Sequence, residues 1–245
     1  MKIAVSGTSC SGKSTLIREF INTFKMYKTP AKTYRDRLKA EKINHSSKTC
    51  EETQKFILDY MIDQLTELKD EKYIIYDRCP LDVLVYTVLA AEANQVSEEF
   101  LVETIQRVRD SLSLLDVIFI CPFDDKIKII DNGTRDTDIN YIKKVDSVFQ
   151  NLMQQYYTDF EADVFFPVKD CPGIINLENL NNRLGDIKII INPNGDLYSA
   201  EDDKNLHAYY LGGNQVSKAD KTRGMMESLI ERQEFLLPRT EIEGL

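Results

Sequence analysis

Residues 7–14 have the side chains and the spacing that hold a polyphosphate. They read Gly-Thr-Ser-Cys-Ser-Gly-Lys-Ser and fit G-x-x-x-x-G-K-[ST], the phosphate-binding P-loop. The glycines permit a tight turn, and the amides of the turn and of the next helix start then point at the anion. We expect Lys13 to reach the β- and γ-phosphates and the Ser14 hydroxyl to bind Mg²⁺. The expected ATP-binding set is Gly7, Ser9, Ser11, Gly12, Lys13, Ser14 and Thr15.

A second group of candidate residues follows the apolar run at residues 73–76. Asp77, Arg78 and Asp82 come where a buried strand ends and a helix begins. Because the carboxyl ends of parallel strands meet at the ligand crevice, we expect Asp77 and Arg78 beside the P-loop. Asp77 can hold Mg²⁺ through water or take a proton from an attacking hydroxyl, and Arg78 can bind a phosphate. Asp82 either contacts the acceptor or starts the helix.

A third group lies at residues 131–138, Asp-Asn-Gly-Thr-Arg-Asp-Thr-Asp, just before a long helical pattern. Asn-Gly indicates a turn, and Asp138 can cap the helix. Arg135 on such a turn could close over the β/γ-phosphates. A well-placed arginine there is worth on the order of 10³-fold or more in rate. The alternative is an exposed loop with a capping aspartate.

Residues 28–42 form the densest positive stretch of the chain, including Arg35 and Arg37. We expect these two arginines to bind the phosphate of a monophosphate acceptor, and the alternative is a solvated basic face. The formal net charge of −9 does not favour a protein that tracks a DNA backbone, because such binding depends on neutralising phosphates. DNA as a partner stays an alternative that needs a local basic groove.

Strand and helix patterns alternate through most of the 245 residues, which predicts an α/β fold. We expect a P-loop NTPase three-layer sandwich with a central parallel sheet. The predicted strands are residues 2–6, 29–34, 73–76, 117–121 and 163–168. The predicted helices are residues 13–25, 50–68, 81–93, 97–114 and 139–160.

The pattern changes near residue 180, where we place a domain boundary between a kinase-like domain, 1–180, and a small C-terminal module, 181–245. In the second segment, Ile187-Lys188-Ile189-Ile190-Ile191 and Asp196-Leu197-Tyr198 flank Asn-Pro-Asn-Gly, which predicts a β-hairpin. Residues 220–237 are predicted to form a last helix.

The composition is that of an ordinary globular protein, and no apolar run reaches membrane-spanning length. The five cysteines show no C-x-x-C pair and no metal-like spacing with the two histidines. We interpret them as free thiols of a cytoplasmic protein. The oligomeric state stays open, with a homodimer as one option.

The three groups in series resemble the P-loop kinases. More narrowly, they resemble AAA-family proteins similar to nicotinamide riboside kinase, with thymidylate kinase and deoxynucleoside kinases as wider relatives. In that group the P-loop precedes D-R-x-x-x-D-x-x-x-Y, here Asp77 to Tyr86, and then D-[DN]-G-x-R-D-T-D, here residues 131–138. The resemblance covers about residues 1–170.

The resemblance implies use of ATP and Mg²⁺ and phosphoryl transfer to a nucleoside or nucleotide. In this reading Lys13, Asp77, Arg78 and Arg135 are catalytic, Ser14 and Asp77 serve the metal, and Arg35, Arg37 and Asp82 serve the substrate. Related kinases of large phages phosphorylate deoxynucleotides or hydroxymethylated pyrimidines within DNA, such as 5-hydroxymethyluracil, so a DNA-base kinase is an alternative. An NTP-binding switch with slow hydrolysis is an alternative from another class.

Overall fold

The computed structural model describes residues 1–40, 50–129, 137–158 and 162–198. They form four strands and eight helices. The strands are β1 (Lys2–Ser6), β2 (Ile74–Asp77), β3 (Val117–Ile120) and β4 (Gly173–Asn176). The helices are α1 (Lys13–Thr23), α2 (Tyr34–Ala40), α3 (Glu51–Glu67), α4 (Pro80–Glu92), α5 (Glu98–Leu112), α6 (Ile139–Thr158), α7 (Ala162–Phe165) and α8 (Arg183–Ile190).

The four strands form one parallel sheet in the order β2-β1-β3-β4. The register pairs Val5 with Asp77 and Ser6 with Ile120. The carboxyl ends of β1, β2 and β3 therefore lie side by side, and the segments that follow them begin at one edge of the sheet. This edge is where ligands bind in open α/β sheets.

Helices cover both faces of the sheet because the strand side chains alternate between two apolar cores. On β1, Ala4 belongs to the core under α3 to α6, whereas Ile3 and Val5 belong to the core under α1 and α8. All three side chains are fully buried. The predicted three-layer α/β fold with a central parallel sheet is confirmed.

The predicted helices at residues 50–68, 81–93, 97–114 and 139–160 correspond to α3, α4, α5 and α6. Helix α5 begins as expected, since the Ser97 hydroxyl accepts a hydrogen bond from the Phe100 amide at 3.2 Å. The apolar runs at residues 73–76 and 117–121 correspond to the buried strands β2 and β3, as their composition predicts.

The predicted strand at residues 29–34 is wrong. Lys28 makes an isolated parallel bridge with Ile74, and the chain then enters α2. Thr33 and Asp36 form a reciprocal cap at its start: the Thr33 amide donates to the Asp36 carboxylate at 2.9 Å, and the Asp36 amide donates to the Thr33 hydroxyl at 3.4 Å. This cap favours a helix start over a strand.

The predicted strand at residues 163–168 is also wrong. Residues 162–165 form the short helix α7, and the last strand of the sheet is β4, at Gly173–Asn176. Ile174 and Ile175 bury their side chains on opposite faces of the sheet, whereas Val168 is 83% exposed. The apolar side chains of residues 163–168 thus do not alternate as in a strand: Phe166 is buried in the core with Ile174, whereas Val168 faces solvent.

The predicted hairpin strand at residues 187–191 is a helix, α8. Its buried residues are Arg183, Asp186, Ile187 and Ile190, at the i, i+3, i+4, i+7 spacing of a helix face. The Asn-Gly segment does turn, but within the described ranges it is flanked only by one isolated antiparallel bridge, between Ile191 and Leu197, and by no extended ladder.

Helix α8 packs against α1 in the same core as β1. The division of the chain at residue 180 stays a prediction, and the helix expected at 220–237 lies outside the described residues. All five cysteines lie inside them and are free thiols. No helix in the described segments has both the length and the apolar character to cross a bilayer.

Candidate functional site

The P-loop connects β1 to α1, and its shape depends on two glycines. Gly7 has φ +133°, and a Cβ on it would lie 2.5 Å from the carbonyl oxygen of Cys121 at the end of β3. Gly12 has φ +84° and is the N-cap of α1. A side chain at either position would be strained, so the loop needs glycine where the motif has it.

Lys13 is buried at the first position of α1. Its ammonium donates to the Thr8 carbonyl and, at 3.1 Å, to the Ser11 hydroxyl. Burial, together with repulsion from Arg78, lowers the pKa of Lys13 from 10.5 to about 7. The side chain therefore lies curled inside the loop, and an anion in the loop would raise its pKa again.

A small cavity of about 90 Å³ opens over the P-loop. Ser14 and Thr15 are exposed there, and Arg35, Asp77 and Arg78 also line it. The cavity is smaller than the roughly 300–1,000 Å³ of whole-ligand sites, so it would hold the phosphate part of a ligand. Most predicted site residues line it: Ser9, Ser11, Gly12, Lys13, Ser14, Thr15, Arg35, Asp77 and Arg78.

Asp77 is the last residue of β2 and stands beside Val5 of β1 in the sheet. Its Oδ2 lies 3.5 Å from the Arg35 guanidinium. Its Oδ1 is buried and accepts no hydrogen bond from the described part of the chain. A buried carboxylate oxygen without a donor is costly, and a hydrated Mg²⁺ would satisfy it. Asp77 and the exposed Ser14 hydroxyl therefore fit the magnesium site expected from the sequence.

Arg78 is buried beneath the loop in an unusual backbone conformation, with φ +79°. Its guanidinium donates to the Gly7 carbonyl at 3.1 Å and to Asp82 Oδ1 at 2.5 Å. It also lies over the ring of Tyr86, 5.6 Å from the centroid. Backbone strain of this kind costs about 1–3 kcal/mol and persists where neighbouring contacts hold it, often at functional sites.

Asp82 is 1% exposed and points towards the loop backbone. Its Oδ2 accepts from the Cys79 amide at 3.0 Å, and its Oδ1 faces both Arg78 and the Gly7 amide, the latter at 3.4 Å. With Pro80 in the first turn, this is a capping box at the start of α4. Of the two roles left open by the sequence, the structure provides contacts for the helix start.

Three predicted residues of the described ranges do not line this cavity: Gly7, Asp82 and Arg37. Arg37 is exposed and lines a separate cavity of about 600 Å³ between the start of α2 and the outer face of α3, with Tyr60 and Asp63. Arg135 lies in residues 130–136, outside the described residues, so its proposed closure over the phosphates stays a prediction.

Sequence reasoning missed two parts of the site. The ring of Tyr34 lies under the guanidinium of Arg35, with the ring centroid 5.0 Å from Cζ, and the ring of Tyr86 lies under that of Arg78. Arg183, which was not among the candidate residues, reaches the P-loop from α8. The helical spacing of Arg183 with Ile187 and Ile190 could have revealed it as part of a buried helix face. The prediction of a strand at residues 187–191 prevented this interpretation.

Comparison with known families and solved structures agrees with this fold. Residues 2–163 match the family model described as AAA domain. The match covers more than half of the chain, and the protein therefore belongs to this family. No curated protein sequence matches the chain.

Solved structures with the same fold include three kinases or kinase-like proteins. Deoxyadenosine kinase from M. mycoides, with dCMP and dCDP bound, has a TM-score of 0.54 at 19% identity, over 76% of this chain and 96% of the other. The NadR protein in complex with NR has a TM-score of 0.51 at 14% identity, over 97% and 53%. Thymidylate kinase from Candida albicans has a TM-score of 0.50 at 16% identity, over 81% and 94%. These likenesses define a P-loop kinase-like fold.

Proposed function

We propose that the protein is a kinase that transfers the γ-phosphate of ATP to a nucleoside or (deoxy)nucleotide. The observation that carries this proposal is that Lys13, Asp77 and Arg78 line the same small cavity over the P-loop. A carboxylate and two cations around a phosphate site are the groups that phosphoryl transfer needs for positioning and charge neutralisation.

The phosphate side is formed by the P-loop. Its amides and Lys13 would bind the β- and γ-phosphates, with Ser14 and Asp77 holding Mg²⁺. ATP with Mg²⁺ supplies a transferable phosphoryl group whose charge the metal partly neutralises. Arg78 lines the cavity and would stabilise the negative charge of the transferred phosphoryl group. We propose that Arg135 stabilises the same charge.

We assign the acceptor side to Asp77 and Arg35, with the rings of Tyr34 and Tyr86 packed against Arg35 and Arg78. Asp77 would orient or deprotonate the acceptor hydroxyl. Arg35 contacts Asp77 and lines the cavity, so it is placed to bind a phosphate already carried by the acceptor. The fold shared with deoxyadenosine kinase and thymidylate kinase supports a nucleoside or nucleotide acceptor. Free thiols suit a reducing, cytoplasmic location.

The first experiment is a screen of ATP consumption with Mg²⁺ against nucleosides, nucleoside monophosphates, nicotinamide riboside, and DNA with and without hydroxymethylated pyrimidines. A strong response to one acceptor, lost in Lys13→Ala and kept in Lys25→Ala, is the expected result. Lys25 is an exposed lysine just beyond α1 and serves as the matched control. An unchanged turnover in Lys13→Ala would contradict the proposal.

The screen also separates the alternatives. A DNA-base kinase predicts a response to modified DNA whose apparent affinity falls steeply with salt, since phosphate contacts release counterions. A small acceptor predicts a shallow salt dependence. Slow hydrolysis that no acceptor accelerates would instead indicate an NTP-dependent switch.

A further inference from the structure

The guanidinium of Arg183, at the start of α8, is buried directly behind the P-loop. The residue is 4% exposed. It donates to three backbone carbonyls: that of Ser11 in the P-loop, that of Pro122 after β3 at 2.7 Å, and that of Leu177 after β4 at 2.9 Å. One side chain thus joins the phosphate loop to the ends of two strands.

The contact with Ser11 constrains the direction of the next amide. In a trans peptide the C=O of one residue and the N–H of the following residue point in opposite directions. Because the Ser11 carbonyl points at Arg183, the Gly12 N–H points away from Arg183. Gly12 lines the phosphate cavity, so the anchored carbonyl orients an amide donor for an anion there.

The positive charge of Arg183 also favours an anion in the phosphate cavity. Its hydrogen-bond acceptors are neutral carbonyls, and the carboxylate of Asp146, which interacts electrostatically with it, is not among them. A buried cation without a hydrogen-bonded carboxylate is costly by itself and attracts an anion strongly in a poorly solvated site. The cavity lined by Ser11, Gly12 and Lys13 is the adjacent place where such an anion would bind.

We propose that Arg183 is a positioning residue for the triphosphate: it fixes the P-loop through the Ser11 carbonyl and adds positive potential behind the loop. In this way α8 forms part of the nucleotide site, although it follows the segment matched by the family model. The inference rests on the nucleotide-binding step of the proposed function, and it is independent of the acceptor.

The test measures binding of ATP and of inorganic tripolyphosphate to the full chain by calorimetry. The variants are Arg183→Met and Arg183→Lys, and the matched control is Lys188→Met, which removes an exposed charge from the same helix. We expect Arg183→Met to weaken both ligands by similar factors, about ten- to a hundredfold. Arg183→Lys should lose less affinity, because lysine keeps the positive charge although it cannot make all three hydrogen bonds of the guanidinium. Lys188→Met should bind both ligands as tightly as the wild type.

Each alternative gives a different pattern. Affinities within twofold of the wild type in both Arg183 variants would overturn the inference, as would a loss for ATP without a loss for tripolyphosphate. If Arg183→Met does not fold, as judged by circular dichroism, Arg183→Lys decides the matter. For the active protein we expect the KM for ATP to rise while the KM for the acceptor stays constant.

The same data distinguish this inference from the proposed function. A wild type that binds ATP but phosphorylates no acceptor would contradict the kinase assignment, and the Arg183 affinities would still decide the inference. A wild type that binds neither ATP nor tripolyphosphate would overturn both.

Discussion

Arg78 and Asp82 form a buried ion pair one helical turn apart, with Arg78 Nη1 2.5 Å from Asp82 Oδ1. Neither side chain is more than 4% exposed. The pair lies between the start of α4 and the Gly7 carbonyl, so the same contacts that begin the helix also support the phosphate loop. Asp82 consequently acts on the site through Arg78 and the loop backbone.

Asp82→Asn should destabilise the fold, because it leaves the Arg78 charge buried without its partner. Breaking a buried pair in this way costs about 3–5 kcal/mol. Urea denaturation followed by circular dichroism measures the change. Glu71→Gln is the control, since the Lys28–Glu71 pair is exposed and should contribute about 0–1 kcal/mol. Equal stability of the two variants would show that the buried pair contributes no more than the exposed one.

Asp77→Asn should preserve the fold and lower kcat by about 10²- to 10⁴-fold, because the amide can neither accept the acceptor proton nor hold Mg²⁺ as a carboxylate does. The variant should also need more Mg²⁺ for half-maximal activity. Steady-state kinetics across a magnesium titration measures both effects. Asp59→Asn, which changes a partly exposed carboxylate on α3 paired with Arg107, is the control and should remain active.

Nucleotide affinity should fall as the pH rises above about 7. In the free protein the pKa of Lys13 is lowered to about 7, mainly by burial, whereas bound phosphates favour the protonated form. Binding between pH 7 and 9 therefore takes up a proton, and the Kd should rise by up to about tenfold per pH unit. Calorimetry in buffers of different ionisation enthalpy measures this uptake. Lys13→Arg should bind more weakly but lose the pH dependence, because arginine does not titrate in this range.

Arg35→Ala should raise the KM for a monophosphate acceptor by about tenfold or more and leave a nucleoside acceptor less affected. The physical reason is that Arg35 lines the phosphate cavity next to Asp77. Arg37→Ala is the matched control, because Arg37 lines a different cavity. Equal effects of the two substitutions on KM would contradict the distinct role of Arg35.

The central sheet and the P-loop could be predicted from the sequence because their signals are local. A glycine turn between an apolar strand and an amphipathic helix leaves few alternatives, and Asp77 follows its strand directly. The parallel arrangement then predicts that Asp77 and Lys13 lie at the same edge of the sheet, and both line the phosphate cavity. The long helices α3 and α6 were equally evident from their apolar periodicity.

The remaining features depend on contacts that sequence spacing alone does not show. Residues 187–191 have a β-branched run typical of a strand, yet packing on α1 selects a helix that buries Ile187 and Ile190. Whether Asp82 contacts the substrate or begins α4 could not be decided from the sequence, because the answer depends on the buried position of Arg78, with which Asp82 pairs. The role of Arg183 required knowing that α8 returns to the P-loop.

The turn after α8 lies at the other end of the sheet from the P-loop. The hydroxyl of Tyr27 donates to the Gly195 carbonyl at 2.6 Å, and the hydroxyl of Tyr73 donates to the Asp196 carboxylate at 3.2 Å. Tyr73 directly precedes the first residue of β2, so this turn is held at the start of that strand. The five residues of β1 separate this turn from the P-loop by roughly 16 Å of extended chain. Asn194 is exposed in the turn, so Asn194→Cys, combined with Cys10→Ser and Cys50→Ser to remove the accessible native thiols, offers an attachment point for a fluorophore that does not obstruct the nucleotide cavity.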